Sequence, residues 1–532
     1  MRKNIEQLLT PLNIVFILHL FVVGLIAIGA VEREAAFALL GVVLFFLIFS
    51  PLEDTVLYTV RSIPFFVALP ITESFDSFNM WRIVIGVLFL RWCIPQRKEI
   101  ITRLRTFNFT RFWRENQFEF FVLCIFGLSF LSLREANDLS AGLKRIIYFG
   151  NMAVLFPVIK SCVVADRTML GRLMKNITIT MGILVVISYL QLASAFQWDY
   201  MKFVNFWALK VQYGFYGSAW SSIVYQANTW FAYLGGGGLR LRIFSTFPDS
   251  HSFPLYLLMA SISFFSLVMA RAIAGKEKTR AIKFLLFACI GIPTVFLTII
   301  STGTRGIWVS VVFPLLLTLG LFFYRPIPHK RLMAFALASL LIFLLLLPLT
   351  SLIYSFPQFN PSLEEKEDEA FLARLRSSLS LTETSNNERI EIWMKTLVSF
   401  ARAPLLGVGI GNFPIVLDQD ISLAKAGSSA HNLYLNVAAE IGFIGGILFA
   451  LALALLLQYS FTIFTKSKDA GLRLFGLFAL LFLTWVFGYS LTDAALFDER
   501  AFLMFTLTSA MITAGYTLTT QKRYGENPIR LN

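Results

Sequence analysis

The sequence is poor in charge, in cysteine and in histidine. Only 15% of its 532 residues are Asp, Glu, Lys or Arg, whereas 57% are hydrophobic and the mean hydropathy is +0.70. Soluble domains carry about 45–50% apolar residues, so this composition excludes a water-soluble globule. The four cysteines lie within apolar runs and form no CxxC pair. A disulfide framework and a CxxC metal site are therefore excluded.

Long apolar runs occupy most of the chain. A bilayer core needs about 20 apolar residues in helical form, because unpaired backbone amides are too costly in hydrocarbon. We predict an all-α polytopic membrane protein with about fourteen spans. The second to fourth are short or interrupted by Pro51, Arg61, Pro64 and Pro70, so twelve is an alternative count. The predicted spans are 12–31, 35–51, 57–72, 80–95, 117–133, 146–165, 177–196, 253–272, 284–301, 306–324, 332–354, 433–458, 472–490 and 501–518.

The net charge of +14 reflects basic clusters between these runs, which favours membrane topology over nucleic-acid binding. Short cytoplasmic loops are rich in Lys and Arg. With both termini inside, the clusters in 96–116, 167–175, 271–283, 325–331 and 466–473 all fall on the cytoplasmic side, and Arg134, Lys144 and Arg145 are the exceptions. We therefore predict a multi-pass membrane protein whose long loops lie on the side opposite to the cytoplasm.

Two long outer loops divide the chain. We predict N-terminal membrane helices over 1–196, an outer loop over 197–252, membrane helices over 253–354, a periplasmic loop over 355–432 and C-terminal membrane helices over 433–532. The second loop carries two stripes with helical spacing, one beginning at Phe371 and one at Ile390 after a possible cap at 386–388. They predict two amphipathic helices on the outer membrane surface, and a solvated acidic linker is the alternative.

Polar residues on the outer side are the candidates for chemistry. Four glycines at 235–238 precede Arg240 and Arg242, which share one face if the segment is extended. Glycine-rich backbone and paired guanidinium groups favour a phosphate ligand. A flexible loop with arginines at the membrane interface is the alternative. The outer turn 301–306 places Arg305 at the start of a helix, which again favours an anion, although Arg305 could instead cap neighbouring carbonyls.

The last two polar stretches surround the second outer loop. Arg389 lies in one of them, and the glycines at 407, 409 and 411 follow without a βαβ unit, which excludes a dinucleotide site and leaves a tight turn. His431 stands just before a span and could act as a general base, although a lone histidine is more often structural. Glu440 lies about 180° from His431 around a helix, so the two are not expected to be partners.

These stretches, in this order and on one side, resemble the O-antigen ligase and polymerase superfamily. The specific part covers about 240–449, and the flanking helices match only as apolar spans. The matching residues are Arg242 with Phe244, Thr246 and Phe247; Ser301, Gly303, Arg305 and Gly306; Arg389 and Trp393 with Pro404, Gly407, Gly409, Gly411, Asn412 and Phe413; and His431, Asn432, Glu440, Gly442 and Gly446.

The resemblance implies a fold similar to the GT-C membrane glycosyltransferases and an inverting transfer that needs no metal or other cofactor. It implies a donor glycan on undecaprenyl pyrophosphate and a hydroxyl acceptor on lipid A core, another glycan or a protein, as in lipopolysaccharide and cell-envelope synthesis. It also implies a place in the bacterial inner membrane, with the active site facing the periplasm or exterior. Arg242 and Arg305 would bind the pyrophosphate, with Arg240 and Arg389 as further candidates, and His431 would be the base.

Asn432, Asp493 and His251 are possible supporting residues, and Asp498 and Arg500 lie in the same last outer turn as Asp493. Family members often carry Pro-Asn after the Thr-Phe element, whereas this chain reads Pro-Asp-Ser-His at 248–251, which makes His251 a rival base. A flippase for polyprenyl-linked sugars is an alternative from another class, although it would place binding residues near the membrane midplane. A catalytically inactive scaffold of a polysaccharide assembly complex is a third hypothesis.

Overall fold

The computed structural model of the chain describes residues 10–72, 78–218, 221, 229–233, 239–274, 278–324, 330–356, 358–359, 384–418 and 429–520. Over these residues the protein is helical, with only two short two-stranded antiparallel sheets. The predicted all-α polytopic class is confirmed. The predicted stripe from Phe371, the glycines at 235–238 and the loop 325–329 lie outside the described residues.

The helices, numbered in chain order, are α1 (Pro11–Ala27), α2 (Ala35–Phe49), α3 (Leu52–Ser62), α4 (Trp81–Arg105), α5 (Phe109–Glu115), α6 (Gln117–Ser132), α7 (Leu139–Ala153), α8 (Leu155–Ala165), α9 (Thr168–Gln197), α10 (Tyr200–Phe206), α11 (Tyr213–Tyr216), α12 (Ser252–Ala274), α13 (Lys278–Ser301), α14 (Arg305–Ser310), α15 (Val312–Phe323), α16 (Lys330–Ser355), α17 (Thr384–Arg402), α18 (Leu433–Lys466), α19 (Ala470–Tyr489) and α20 (Glu499–Thr520). The strands are β1 (Ala68–Leu69), β2 (Phe78–Asn79), β3 (Phe231–Tyr233) and β4 (Leu239–Leu241).

Within the described part of the chain, nine helical segments are long and apolar enough to cross a membrane, and three shorter apolar helices accompany them. Three of the nine form the centre of the bundle. The apolar windows of α12, α19 and α20 are 94%, 83% and 83% buried, against 17% for the peripheral segment Gln117–Glu135. The start of α12 and the end of α19 meet where His251 contacts Asp493, and the candidate site lies there.

The predicted span at 57–72 is wrong. Helix α3 ends at Ser62, a 3₁₀ turn follows at Ile63–Phe65, and the chain then pairs β1 with β2. Pro64 lies in that turn, and proline has no N–H to continue a helix. The segment is buried rather than lipid-facing, because His19 of α1 contacts Tyr58 at 2.5 Å and the carbonyl of Phe65 at 3.1 Å. The Thr246 hydroxyl donates to the carbonyl of Pro64 at 2.9 Å, so this segment contacts the stretch that follows Arg242.

Helix α4 continues through Pro95, the end of the fourth predicted span, as far as Arg105. A proline inside a helix removes one hydrogen bond but does not have to end the helix. The side-chain amide of Gln96 donates to the carbonyl of Trp92 at 3.2 Å, which adds a local bond beside the gap.

The second predicted outer-loop helix is present as α17, which begins at Thr384, before the predicted cap. Met394, Leu397 and Val398 expose an apolar face on it. The glycine segment that follows is the tight turn predicted from its spacing. Its backbone interlocks with α18, because Val408 N–H donates to Ala439 O at 2.8 Å and Phe443 N–H donates to Pro404 O at 2.9 Å.

Glycine is required on both sides of this interlock. Gly407 and Gly442 have φ values of +67° and +79°, which L side chains rarely adopt. A Cβ at Gly407 would lie 2.2 Å from Ala439 O, and one at Gly442 would lie 2.0 Å from Leu405 O. Gly442 also marks a kink in α18. The interlock fixes the end of the outer loop against the helix that begins beside His431.

Candidate functional site

Residues 239–249, called the donor segment here because a donor-binding role is predicted for Arg240 and Arg242, begin as a strand and are anchored by their backbone. Strand β4 pairs with β3 and places the buried Arg240 opposite Ala232. Arg242 N–H then donates to Trp230 O at 2.7 Å, and Ile243 N–H donates to Ser301 O at 3.1 Å. The second of these bonds joins the donor segment to the outer turn that precedes Arg305.

A buried glutamine holds the next turn of the donor segment. The side-chain oxygen of Gln191, on α9, accepts from the N–H groups of Phe244 and Ser245 at 2.9 and 3.1 Å. Ser245 has a positive φ of 54°, an uncommon conformation for a residue other than glycine. These bonds hold the strained turn in place, and they fix the backbone on which Arg242 stands.

The Arg242 guanidinium contacts three groups from two other parts of the site. Its Nε donates to Thr302 O at 3.1 Å, and Nη2 lies 3.3 Å from Thr304 Oγ1 and 3.1 Å from His251 Nε2. Gly303 gives the room for this approach, because a Cβ there would lie 3.0 Å from Arg242 Cγ. The first two predicted stretches therefore meet, and Arg305 directly follows Thr304 at the start of α14.

His251 joins this cluster to the last outer turn. Its Nδ1 lies 2.5 Å from Asp493 Oδ2 and 3.3 Å from Tyr489 Oη, and Tyr489 donates to the same carboxylate oxygen at 3.0 Å. Gly306 packs closely on Thr492 and Tyr489. Residues that are 242 positions apart in the sequence thus form one hydrogen-bonded group.

The Pro-Asp departure from the family pattern has a local role. One oxygen of Asp249 accepts from the N–H groups of His251 and Ser252 at 2.7 Å each, and the other accepts from the Ser252 hydroxyl at 2.7 Å. Asp249 therefore caps the start of α12, the most buried of the membrane helices in the described residues. The cap places His251 at the outer end of the central bundle.

His431 stands in an unusual backbone conformation. Its φ is 44°, in the left-handed region. The loop is held on both sides, because Asn436 accepts from Ala430 N–H at 3.1 Å and Leu433 N–H donates to Ser490 O at 2.8 Å. Asn432 caps α18 by accepting from Tyr434 and Leu435 N–H, so its side chain is used in the fold. Strained backbone that the surroundings hold in this way is common at functional sites.

The imidazole of His431 is largely buried among charged groups. Burial lowers the pKa of His431 below its ordinary value of 6.5; Asp493 opposes this shift, while Arg389 and His251 add to it. Its Nδ1 is buried and has no hydrogen-bond partner among the residues that the structure describes. A neutral imidazole with one uncommitted nitrogen can accept a proton, which is what a general base requires.

Asp493 interacts with both histidines. Burial acts to raise the pKa of Asp493, but the electrostatic effects of His251, His431 and Arg389, together with the His251 hydrogen bond, outweigh it and hold the pKa below its ordinary value of 3.8. Asp493 is therefore an anion. It links the donor segment, which carries Arg242, to the loop that carries His431.

Helix α17 brings Arg389 to the same place. Its Trp393 donates from Nε1 to Ala430 O at 2.9 Å, directly before His431. Arg389 lies on the same helix, four positions earlier, and acts electrostatically on His431 and Asp493. The outer helix thus positions both the backbone of His431 and a cation beside it.

Two further predicted residues have structural contacts. Arg500 is buried, donates to the carbonyls of Thr246 and Phe66 and lies 4.7 Å from the ring centre of Tyr216, so it ties the donor segment to α20. Burial raises the pKa of Asp498 well above its ordinary value of 3.8, and a hydrogen bond with Asp249 adds to the effect. Arg500 and Asp498 therefore hold Thr246 and Asp249 of the donor segment, respectively.

Glu440 is not a partner of His431, as its helical position predicts. It accepts backbone hydrogen bonds from Gly411 and Phe413, and therefore stabilises the glycine turn. Sequence reasoning missed Gln191, Tyr489 and Asn436, since each lies within a predicted span without a local motif. Their polarity inside apolar runs was the one available signal.

The fold and site together define a polytopic membrane protein with a cationic, histidine-containing cluster at one end of its central helices. Residues 285–450 match the family model described as O-Antigen ligase, and this match confirms the resemblance inferred from the motifs. The match supports glycosyl transfer of the ligase or polymerase type. It contains Arg305, Arg389 and His431, whereas Arg242, His251 and Asp493 lie outside it. No curated protein matches the chain.

Proposed function

We propose that this protein transfers a glycan from an undecaprenyl-pyrophosphate donor to a hydroxyl group at the periplasmic or outer face of the bacterial inner membrane. The observation that carries the proposal is the convergence of the motifs. Arg242 lies beside Thr304 and His251, and His251 binds the Asp493 carboxylate, which also interacts with His431 and Arg389. Cations are thus concentrated where a diphosphate would need them.

The guanidinium groups of Arg242 and Arg305 bind the pyrophosphate in this proposal. The carbon–oxygen bond between the sugar and the pyrophosphate breaks, and its electron pair leaves with the phosphate oxygen. Guanidinium groups stabilise the charge that develops there, so the residues themselves supply the electrophilic assistance. Arg240 is buried in β4, two positions before Arg242, and supports this segment.

His431 accepts the proton of the acceptor hydroxyl. The acceptor oxygen forms the new bond to the anomeric carbon on the face opposite to the leaving group, which inverts the configuration. Burial and Arg389 favour the neutral imidazole, so the base is ready to accept at neutral pH. Acceptors on lipid A core, on another glycan or on a protein all present the same hydroxyl chemistry.

A reconstituted transfer assay tests the proposal. Purified protein in lipid vesicles is given an undecaprenyl-pyrophosphate-linked glycan and, separately, each acceptor class, and new glycosidic products are measured by mass spectrometry. The wild type should form product with one acceptor class, and His431→Ala should reduce the rate about 10²- to 10⁴-fold.

Lys395→Ala is the matched control on the outer loop. Lys395 is partly exposed on α17 and pairs with Glu391 at 3.7 Å and Asp418 at 3.9 Å, neither of which is a candidate site residue, so its removal should leave the rate unchanged. Movement of the donor lipid across the vesicle membrane without any new glycosidic bond would favour a flippase. Transfer by His431→Ala at the wild-type rate would contradict the proposed base.

A further inference from the structure

The two ring nitrogens of His251 face different chemistry. Nδ1 lies 2.5 Å from the Asp493 carboxylate and 3.3 Å from the Tyr489 oxygen. The Tyr489 hydroxyl donates its hydrogen bond to Asp493. An ionised carboxylate only accepts hydrogen bonds, so the ring hydrogen of His251 lies on Nδ1. Nε2 then carries a lone pair, and it faces the Arg242 guanidinium at 3.1 Å.

Arg242 Nη2 and His251 Nε2 are placed to share one acceptor. Nη2 lies within reach of both His251 and Thr304, at the point where the proposed function puts a phosphate group. Charge-assisted hydrogen bonds to phosphate oxygens are about 2.8 Å long. One oxygen can therefore accept from two nitrogens that are 3.1 Å apart, provided that Nε2 carries a proton.

Binding of an anion beside Nε2 would favour an imidazolium at His251. Asp493 is aligned on Nδ1 and fixes the orientation of the ring. A diphosphate adds negative charge on the Nε2 side and offsets the nearby cations. The charged or titratable groups that face or lie around His251 are Arg242, Asp249, Arg389, His431, Tyr489, Asp493 and Asp498.

We propose that His251 takes up one proton when a diphosphate binds, and that its Nε2–H then donates to the phosphate oxygen that leaves during transfer. The inference rests on the proposed function and adds a catalytic residue to it. The proton comes from solvent at the binding step. In the transfer step the acceptor proton goes to His431, and the electron pair of the broken carbon–oxygen bond goes to the oxygen bound by His251. Asp493 is the positioning residue for this imidazolium.

Calorimetric binding of farnesyl pyrophosphate to the purified full-length protein tests the inference. Titrations at one neutral pH in two buffers with different ionisation enthalpies give the number of protons taken up. We expect the wild type to take up close to one proton more than His251→Asn. Loss of one hydrogen bond to a charged group should also weaken binding by this variant about 10- to 100-fold.

Two further variants separate a proton-carrying role from a structural one. His251→Gln retains an N–H donor near the Nε2 position, but its amide is not protonated at neutral pH. This variant should therefore bind the diphosphate more tightly than His251→Asn does, without the extra proton uptake. His431→Asn should retain the uptake, because His431 acts in the transfer step. Size-exclusion profiles confirm that the variants compared are folded.

The outcomes distinguish this inference from the function on which it rests. Equal proton uptake by the wild type and His251→Asn, with binding still dependent on Arg242, would overturn the role of His251 and leave the proposed function standing. Farnesyl pyrophosphate binding that is absent, or that is unchanged in Arg242→Ala, would contradict both.

Discussion

Gly442→Ala tests the interlock that fixes the outer loop to the helix beginning beside His431. A Cβ at this position would lie 2.0 Å from Leu405 O, in a backbone conformation with φ of +79°. With a ψ of 175°, this backbone conformation is almost confined to glycine and costs another residue about 1–3 kcal/mol, and overpacking against backbone costs about 1–3 kcal/mol more. We expect Gly442→Ala to lower the free energy of unfolding by about 2–6 kcal/mol.

Gly182→Ala is the matched control. Gly182 lies inside α9 with no atom within 4 Å of a built Cβ, so alanine should be neutral or stabilise the helix by about 0.5–1 kcal/mol. The assay is thermal unfolding of both purified variants in the same detergent, followed by tryptophan fluorescence. If Gly442→Ala unfolds at the same temperature as Gly182→Ala, the interlock does not carry the stability that we assign to it.

Three further predictions concern the surroundings of His431. Asn432→Ala should cost about 1 kcal/mol of stability through loss of the α18 cap, measured by thermal unfolding, and an unchanged melting temperature would contradict this role. Arg389→Gln removes a charge that lowers the pKa of His431, so the acid limb of the pH–rate profile should move to higher pH, since a base is active only when deprotonated. Trp393→Phe removes the bond to Ala430 O and should lower kcat with little change in KM, and a change in KM alone would exclude positioning of His431.

The membrane helices follow from the sequence because a span needs only length and apolarity. The prediction failed at 57–72, where Tyr58 and Phe65 are apolar enough for lipid but are bound by His19. Hydropathy reports how apolar a segment is. It cannot distinguish a segment that is buried in lipid from one that is buried in protein. Pro64 was the local signal that this segment turns.

Candidate residues could be selected from the sequence where they lie in short motifs. Arg242, Arg305, Arg389 and His431 stand beside glycines or helix starts that are visible in the sequence. The pairing of His251 with Asp493 was not, because the residues are 242 positions apart and their contact depends on how α12 and α19 pack. Local patterns report backbone conformation, whereas such contacts depend on tertiary packing.

The roles of Asn432 and Glu440 show the same division. Both belong to the motif that contains His431, yet Asn432 caps α18 and Glu440 accepts from the N–H groups of the glycine turn. A motif contains residues that stabilise the fold as well as residues that could take part in chemistry. The hydrogen-bond partners of each side chain distinguish these two roles. By that criterion His431, whose buried Nδ1 has no partner within the described residues, stands apart.

The most direct test of the central claim is a double-mutant cycle between Arg242 and Arg305 on kcat/KM for glycan transfer. Residues that act on one diphosphate share a partner, so their effects should couple. We predict that the Arg242→Ala, Arg305→Ala double variant loses less transition-state stabilisation than the two single losses together, by more than about 0.5 kcal/mol. Additive losses within that margin would show that the two arginines act independently, and would contradict a single pyrophosphate site.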